Sequence, residues 1–288
     1  MRIAVTGRNG QVATSLLEKA AAYPQHEVIA LGRPAFDLED PASVRRALTE
    51  AKPDLIVNAA AFTAVDKAEQ EEALAFAVNA TGAGAAAEAA AKLAIPFIHL
   101  STDYVYPGDK ASAYVETDAT GPLGAYGRSK LAGEDAVKAA HPSPLIFRTA
   151  WVYSPFGANF VKTMLRIGKD RPVLSVVDDQ HGNPTSALDI ADAILRIALQ
   201  ARAGGTYHLA GEGSVTWCGF ARKIFSVSKA LGGPSPEVKA ITTAEYPTPA
   251  RRPANSRLST AAFAAHFGFR LRPWEEATAE TVSRLLTL

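Results

Sequence analysis

Short apolar runs alternate with stretches of helical periodicity through the first half of the chain. Residues 2–6, 27–31, 55–57 and 97–101 are brief, aliphatic-rich runs of strand length. Between them, residues 11–22, 41–51 and 72–93 space their apolar positions for helices. Buried strands separated by helices predict βαβ units and a parallel sheet covered on both faces. Asp40-Pro41 reads as an N-cap followed by the first helical residue. The 72–93 stretch is dense in alanine and can pack close to a sheet; its Asn79 is either polar surface or part of a site. In the second half, strands are expected at 145–148, 174–177 and 206–209. Helices are expected from 159 onward and over 189–200, 217–231 and 274–286. Pro247, Pro249 and Pro253 make 242–256 an irregular loop.

Composition narrows the class. With 288 residues, 48% hydrophobic content and a net charge of +1, the chain can bury a large core. It has no bulk attraction for nucleic acid or an anionic membrane. The single cysteine, Cys218, excludes an internal disulfide and fits a small core residue in a reducing compartment. The first residues enter a strand pattern without a signal-peptide core, and no stretch is long and apolar enough to span a bilayer. A soluble, cytoplasmic protein is expected.

Candidate chemistry clusters where strands end. Residues 2–6 run into Gly7-Arg8-Asn9-Gly10-Gln11-Val12-Ala13 and then a helix. A strand, a glycine turn and a helix N-terminus make a pyrophosphate site: glycine admits the ligand to the backbone, and unpaired N–H groups favour negative charge. The expected fold class is therefore α/β, a Rossmann-type doubly wound parallel sheet. Residues 1–150 would form the dinucleotide-binding domain, and 151–288 a smaller, mainly substrate-binding region interleaved with the sheet. Arg33 follows the second strand, where an acidic residue suits a free ribose 2′-hydroxyl and an arginine suits a 2′-phosphate. With no acidic residue at that strand end to repel a phosphate, NADP(H) is the expected cofactor, NADH being also admissible. The small residues Asn58-Ala59-Ala60-Ala61, before Phe62 and Thr63, let a flat cofactor lie against the third strand's end.

Tyr126 and Lys130 lie four apart where a helix emerges from Gly121, Pro122 and Gly124, so both side chains share one face. A nearby ammonium is expected to lower the phenol's pKa from its usual value of about 10. Thr102 adds a hydroxyl to orient a carbonyl, and the three together can move a proton onto a carbonyl oxygen. A second Tyr-x-x-x-Lys match, Tyr106 to Lys110, contains Pro107 and Gly108 and is not expected to be helical. Further along, Trp151 and Tyr153 follow a strand end, and Asp178-Asp179-Gln180-His181-Gly182-Asn183-Pro184-Thr185 is dense in donors and acceptors. His181 has no zinc spacing with cysteine or another histidine and reads as a structural hydrogen bonder; no metal site is expected. The adjacent Arg251 and Arg252 could clamp a diphosphate bidentately.

Four of these segments together carry a resemblance. Thr6-Gly7-x-x-Gly10-Gln11-Val12, Asn58-Ala59-Ala60-Ala61, Ser101-Thr102-Asp103-Tyr104-Val105-Tyr106 and Tyr126-Gly127-Arg128-Ser129-Lys130-Leu131 resemble the extended short-chain dehydrogenase/reductase superfamily. Within it, Thr63-Ala64-Val65-Asp66-Lys67-Ala68-Glu69, Glu116-Thr117-Asp118-Ala119, Arg148-Thr149-Ala150-Trp151-Val152-Tyr153, the 178–185 segment and Pro249-Ala250-Arg251-Arg252-Pro253-Ala254-Asn255-Ser256 are similar to the dTDP-4-dehydrorhamnose reductases. The matches run in order through nearly the whole chain.

The resemblance implies NADPH-dependent reduction of dTDP-4-dehydro-β-L-rhamnose to dTDP-L-rhamnose for cell-envelope polysaccharide. It implies Gly10, Gln11 and Val12 at the pyrophosphate, with Gly7 and Asn9 in the same turn. Asp37 and Leu38 would line the adenine pocket, and Ala60, Ala61, Phe62 and Thr63 the ribose and nicotinamide half. Tyr126 would donate the proton, Lys130 hold the nicotinamide ribose, and Thr102 and Asp103 face the sugar. Trp151 would wall in the deoxysugar, with Asn159, Gln180, Thr185, Arg251 and Arg252 completing the substrate site. Some members carry a glutamate in the first helix that helps bind magnesium at a dimer contact. Ser15 stands there, so neither metal nor that dimer is implied, and a monomer or weak homodimer is expected. Asp103 is followed by Tyr104, not by the glutamate of nucleotide-sugar dehydratases, which disfavours elimination. The alternatives are another nucleotide-sugar reductase or epimerase, or a non-catalytic NADP-binding regulatory subunit resembling methionine adenosyltransferase subunit β.

Overall fold

The computed structural model describes residues 1–287. The strands are β1 (Arg2–Thr6), β2 (Glu27–Leu31), β3 (Leu55–Asn58), β4 (Phe97–Thr102), β5 (Leu145–Thr149), β6 (Val152–Tyr153), β7 (Val173–Val177), β8 (His181–Gly182), β9 (Thr185–Ser186), β10 (Gly205–His208), β11 (Val215–Thr216) and β12 (Glu237–Ile241). The helices are α1 (Gln11–Lys19), α2 (Pro41–Ala51), α3 (Val65–Ala68), α4 (Glu72–Phe76), α5 (Ala83–Lys92), α6 (Ala125–Ala140), α7 (Phe160–Ile167), α8 (Ala187–Ile197), α9 (Trp217–Ala230), α10 (Ala261–Phe267) and α11 (Trp274–Thr287).

Six strands form one parallel sheet in the order β10-β5-β4-β3-β1-β2. From β1 the chain steps outward to β2, then returns to β3 on the other side of β1. The direction of winding therefore reverses between β1 and β3, where α/β sheets open a ligand crevice at their carboxyl ends. Side chains alternate across the strands, so each face buries its own set. Ile3, Val5, Val57, Leu100 and Phe147 pack under α1, α8 and α10. Ala4, Ile56, Phe97 and Ile146 pack under α2, α5 and α6.

Residues 72–93 do not make one continuous helix. A π-helical turn, Ala77–Gly82, separates α4 from α5. Two close approaches accompany it: a Cβ at Gly82 would run into the Leu38 carbonyl, and one at Gly133 into the Asn79 carbonyl. Such single wide turns recur at functional sites, and here the turn carries Asn79. The first helix likewise stops at Lys19 and tightens into a 3₁₀ turn at Ala20–Ala22.

The second half contributes β10 to the sheet and builds a separate core from Tyr153, Val161, Leu174, Phe220, Trp274 and Val282. The expected strand at 174–177 pairs with β12, away from the main sheet. No apolar run announces β12, since Glu237, Lys239 and Ala240 face solvent and leave only Val238 and Ile241 half-buried. The 242–256 segment is mostly irregular, and begins with a 3₁₀ turn closed by a capping box between Thr242 and Glu245.

Candidate active site

The exits of β1, β3 and β4 are stitched together by buried polar side chains. The Thr6 hydroxyl donates to Asn58 Oδ1 at 2.7 Å and accepts from the backbone N–H groups of Ala59 and Ala60 at 3.1 and 3.0 Å. Asn58 Nδ2 meets His99 Nδ1 at 3.0 Å, and burial holds His99 neutral, well below the usual histidine range. Gly7 has φ +93°, and a Cβ there would sit 3.2 Å from Ala60; a larger residue on either side would push the two exits apart. Helix α1 starts at Gly10 with no side-chain cap and no acid in its first turn, so its N–H groups and dipole are free to meet an anion. This cradle fits the pyrophosphate of a dinucleotide.

The other proposed cofactor contacts flank the cradle. Asn9 and Gly10 are exposed, while Val12 and Leu38 are buried. Gln11 turns inward: its Oε1 accepts from Ser154 Oγ at 2.8 Å and from Asn159 Nδ2 at 3.0 Å. Asn159 itself caps α7, accepting from Lys162 N at 3.2 Å. Asp37 and Glu39 both pair with Arg33, and the guanidinium holds the Asp37 carboxyl below its ordinary value. The expectation of no acidic residue at this strand end is therefore wrong. The loop beyond β2 folds back and brings two carboxylates onto Arg33.

Beyond β3, the backbone of Phe62 is gripped at both ends by Asn79. Asn79 Oδ1 accepts from Phe62 N at 2.8 Å, and its Nδ2 donates to the Phe62 carbonyl at 3.1 Å and to Ser129 Oγ at 3.0 Å. Asn79 is buried, so it belongs to the site's frame and not to the surface. It fixes the 60–63 exit against the helix that bears Tyr126.

That helix, α6, begins at Ala125, whose N–H donates to Glu69 Oε1 at 2.8 Å. Gly127 lets the helix settle onto the Tyr104 carbonyl, which any Cβ would strike. Lys130 is fully buried, donates to the Leu100 carbonyl at 2.7 Å, and is pushed down to about 8 by desolvation, with Glu134 working against the shift. Tyr126 lies edge-on to Tyr104 with ring centroids 5.8 Å apart. Desolvation pushes the hydroxyl of this half-buried side chain up to about 12, while the neighbouring Thr102 hydroxyl pulls the other way. The expected lowering of the phenol by the lysine does not occur, because Lys130 is held on a strand carbonyl and desolvation outweighs the pull of Thr102.

Asp103 is buried beside them. Its Oδ1 accepts from Thr102 Oγ1 at 3.0 Å and its Oδ2 has no hydrogen-bond partner. Desolvation raises its pKa to about 6, with the nearby Ser256 hydroxyl and then the Thr102 bond opposing. Under α6, Arg148 grips Glu134 through Nε at 2.9 Å and Nη2 at 2.7 Å, and Ser101 Oγ donates to the same carboxylate at 2.6 Å. Arg148 Nη1 also reaches the Tyr106 hydroxyl, which meets His208 Nε2, both at 2.7 Å. Tyr106 is thus a core residue, and Gly108 at φ +82° breaks any helix between it and Lys110.

In the second half, Trp151 adopts φ +47° and stacks on Trp217, with centroids 3.5 Å apart and planes 6° from parallel. Its carbonyl accepts from Thr185 N at 3.2 Å; the Thr185 hydroxyl donates to the Asn183 carbonyl and accepts from Gly211 N. Gln180 is buried and donates to Thr243 Oγ1 at 3.0 Å. Arg252 is committed to Asp66 by a two-pronged pair at 3.0 and 2.8 Å, which ties the proline-bounded loop to α3. Arg251 is exposed, without an ion pair among the described residues. Ser15 is buried and donates to the Gln11 carbonyl at 2.8 Å, so α1 offers no carboxylate there for magnesium. Among the described residues, no group of three His, Cys, Asp or Glu could hold a metal ion. Nor is any helix long and apolar enough to cross a membrane.

A parallel sheet with an anion cradle at its switch point, and a Tyr-Lys-Thr set at the next strand exits, defines a Rossmann-type oxidoreductase. The family model described as RmlD substrate binding domain matches residues 1–287, and the chain belongs to the dTDP-4-dehydrorhamnose reductase family. It is 52% identical to a dTDP-4-dehydrorhamnose reductase of Sinorhizobium fredii, over 99% of this chain and 98% of that one. A relative of the same name from Escherichia coli K12 is 42% identical over 100% and 99% of the two chains. The crystal structure of a dTDP-4-dehydrorhamnose reductase from Bacillus anthracis in complex with NADP superposes with a TM-score of 0.93 at 35% identity, covering 98% and 99%.

Proposed function

We propose that this chain reduces the C4 ketone of dTDP-4-dehydro-β-L-rhamnose to give dTDP-L-rhamnose, with NADPH as cofactor. Bound NADPH supplies the hydride. Gly7, Asn9, Gly10, Gln11 and Val12 hold its pyrophosphate; Arg33, Asp37 and Leu38 its adenosine end; Ala60, Ala61, Phe62 and Thr63 its other half. Lys130, locked on the Leu100 carbonyl, presents its charge to the nicotinamide ribose.

Tyr126 delivers the proton to the ketone oxygen, and Thr102 orients that oxygen. A hydroxyl raised to about 12 stays protonated at neutral pH and is a donor in its resting state. Asp103, with one buried oxygen unpaired, accepts from a sugar hydroxyl. The stacked Trp151–Trp217 pair is a flat wall for the deoxysugar, and Arg251 reaches the diphosphate. Residues 1–150 serve the cofactor and 151–288 mainly the sugar nucleotide, in a cytoplasmic monomer or weak homodimer.

The observation that carries this reading is the placement of the Tyr126 hydroxyl beside Thr102, one helical turn from a fully buried Lys130, in a chain of this family. Loss of NADPH absorbance on adding the purified keto-sugar nucleotide tests it. Tyr126→Phe should cut kcat by about 10²–10⁴-fold and spare NADPH binding. No oxidation by the unaltered chain would refute the function; near-normal turnover by the variant would pass the proton to Asp103 or water.

A further inference from the structure

Hydroxyls at the carboxyl edge of the sheet are hydrogen-bonded with one exception. Thr6 makes three bonds, Ser101 is bonded to Glu134, and Thr102 to Asp103 and Tyr104 N. Thr149, the last residue of β5, is 8% exposed, and its Oγ1 has no partner. A buried hydroxyl left unbonded costs about 1–3 kcal/mol, which a ligand that pairs it would recover.

The position specifies which ligand. Thr149 and Thr102 are register partners on adjacent parallel strands, so their side chains leave the same face about one strand spacing apart, roughly 4.8 Å. Along the carboxyl edge, the anion cradle lies at β1, the Phe62 exit at β3 and the Thr102 end at β4; β5 comes next in that order. Asp103 lies one residue beyond the end of its strand, whereas Thr149 ends β5 level with Thr102, the hydroxyl assigned to the reacting ketone, so Thr149 faces the place where ketone and hydride donor must meet. Immediately after it Ala150 is buried and Trp151 turns away at φ +47°.

We propose that the Thr149 hydroxyl binds the carboxamide of the nicotinamide ring, a group that both donates and accepts as a threonine hydroxyl does. This rests on the cofactor assignment above. Thr149 is then a residue that sets the rotation of the ring beside Thr102 and Tyr126, through a hydrogen bond that the cradle and Lys130 cannot supply.

Thr149→Val keeps the shape and removes only the hydroxyl. Titration of the ligand-free protein should show NADPH bound about 3- to 10-fold more weakly. Binding of 2′-phospho-ADP-ribose, which lacks the nicotinamide, should be unchanged, and Thr149→Ser should restore NADPH affinity. The ligand-free valine variant should melt no lower than the unaltered chain, because an unpaired buried hydroxyl has been removed. Unchanged NADPH affinity would overturn the inference and leave the proposed function standing, and so would equal weakening of both ligands. A raised KM for the sugar nucleotide alone would move the hydroxyl to the substrate, overturning it as well. Failure of the unaltered chain to bind NADPH would refute the cofactor assignment and this inference together.

Discussion

Asp103→Asn tests the electrostatics of the site without any ligand. Burial raises the Asp103 pKa from 3.8 to about 6. A folded-state pKa above the unfolded one means that the folded chain binds the proton more tightly. The associated stability is complete below about pH 4 and is lost as pH rises towards 6 and beyond. The two values differ by roughly 2 units, at about 1.36 kcal/mol each, so ionised Asp103 costs about 3 kcal/mol at pH 8. Asparagine still accepts from Thr102, but sets an amide nitrogen where Oδ2 now lacks a partner. Allowing for that, the variant should be more stable by about 1–2 kcal/mol at pH 8, with the gain vanishing by pH 4. Urea unfolding of both proteins at pH 4, 5, 6, 7 and 8 measures the difference directly. A gain that does not change with pH, or a larger loss at pH 8 than at pH 4, would refute the buried-charge account. Turnover should fall as stability rises, as expected where a site keeps a destabilising charge for use.

Arg33 already pairs with Asp37 and Glu39, so a 2′-phosphate must compete for it. NADPH should bind more tightly than NADH by only about 1 kcal/mol, a margin that Arg33→Ala erases in dissociation constants; a larger surviving preference would place the discrimination elsewhere. Arg251→Ala should raise KM for the sugar nucleotide and leave the melting temperature unchanged. Arg252→Ala should lower stability by about 1 kcal/mol through the lost Asp66 bridge. Unaltered KM in the Arg251 variant would show that the diphosphate is held by other groups.

The first half of the sheet was legible because its inner strands β1, β3 and β4 are short apolar runs with both faces buried. The anion cradle was legible for a related reason: Gly7 and Gly10 perform a backbone task that few other residues allow. Partners distant in sequence were not. Nothing near Arg252 points to Asp66, 186 residues away; Asp37 and Glu39 stand only four and six residues beyond Arg33, but no periodic pattern sets the turn that folds them back on it. The π-turn around Asn79 was hidden in an alanine-rich stretch whose propensity favours an uninterrupted helix. Only packing against Leu38 and Gly133 reveals the wider turn. Depth was the other blind spot, since Lys130 and Tyr126 read as a charge next to a phenol until their burial is known.

That burial bears on the direction of the chemistry. A pKa of about 12 leaves roughly one Tyr126 in 10⁵ ionised at pH 7, so the ligand-free site holds a proton donor and almost no base. Reduction of a ketone requires a donor, because the alkoxide produced by hydride addition is far more basic than a phenolate. Oxidation of the alcohol would require the phenolate and would begin by ionising a desolvated group. Lys130, at about 8, is mostly charged at neutral pH, yet it points at Leu100 and contributes nothing that lowers the phenol. The ligand-free chain therefore rests in the protonation state that the reductive direction uses. A lysine drawn closer to the phenol on ligand binding would lower the barrier in both directions alike, since a catalyst leaves the equilibrium constant unchanged.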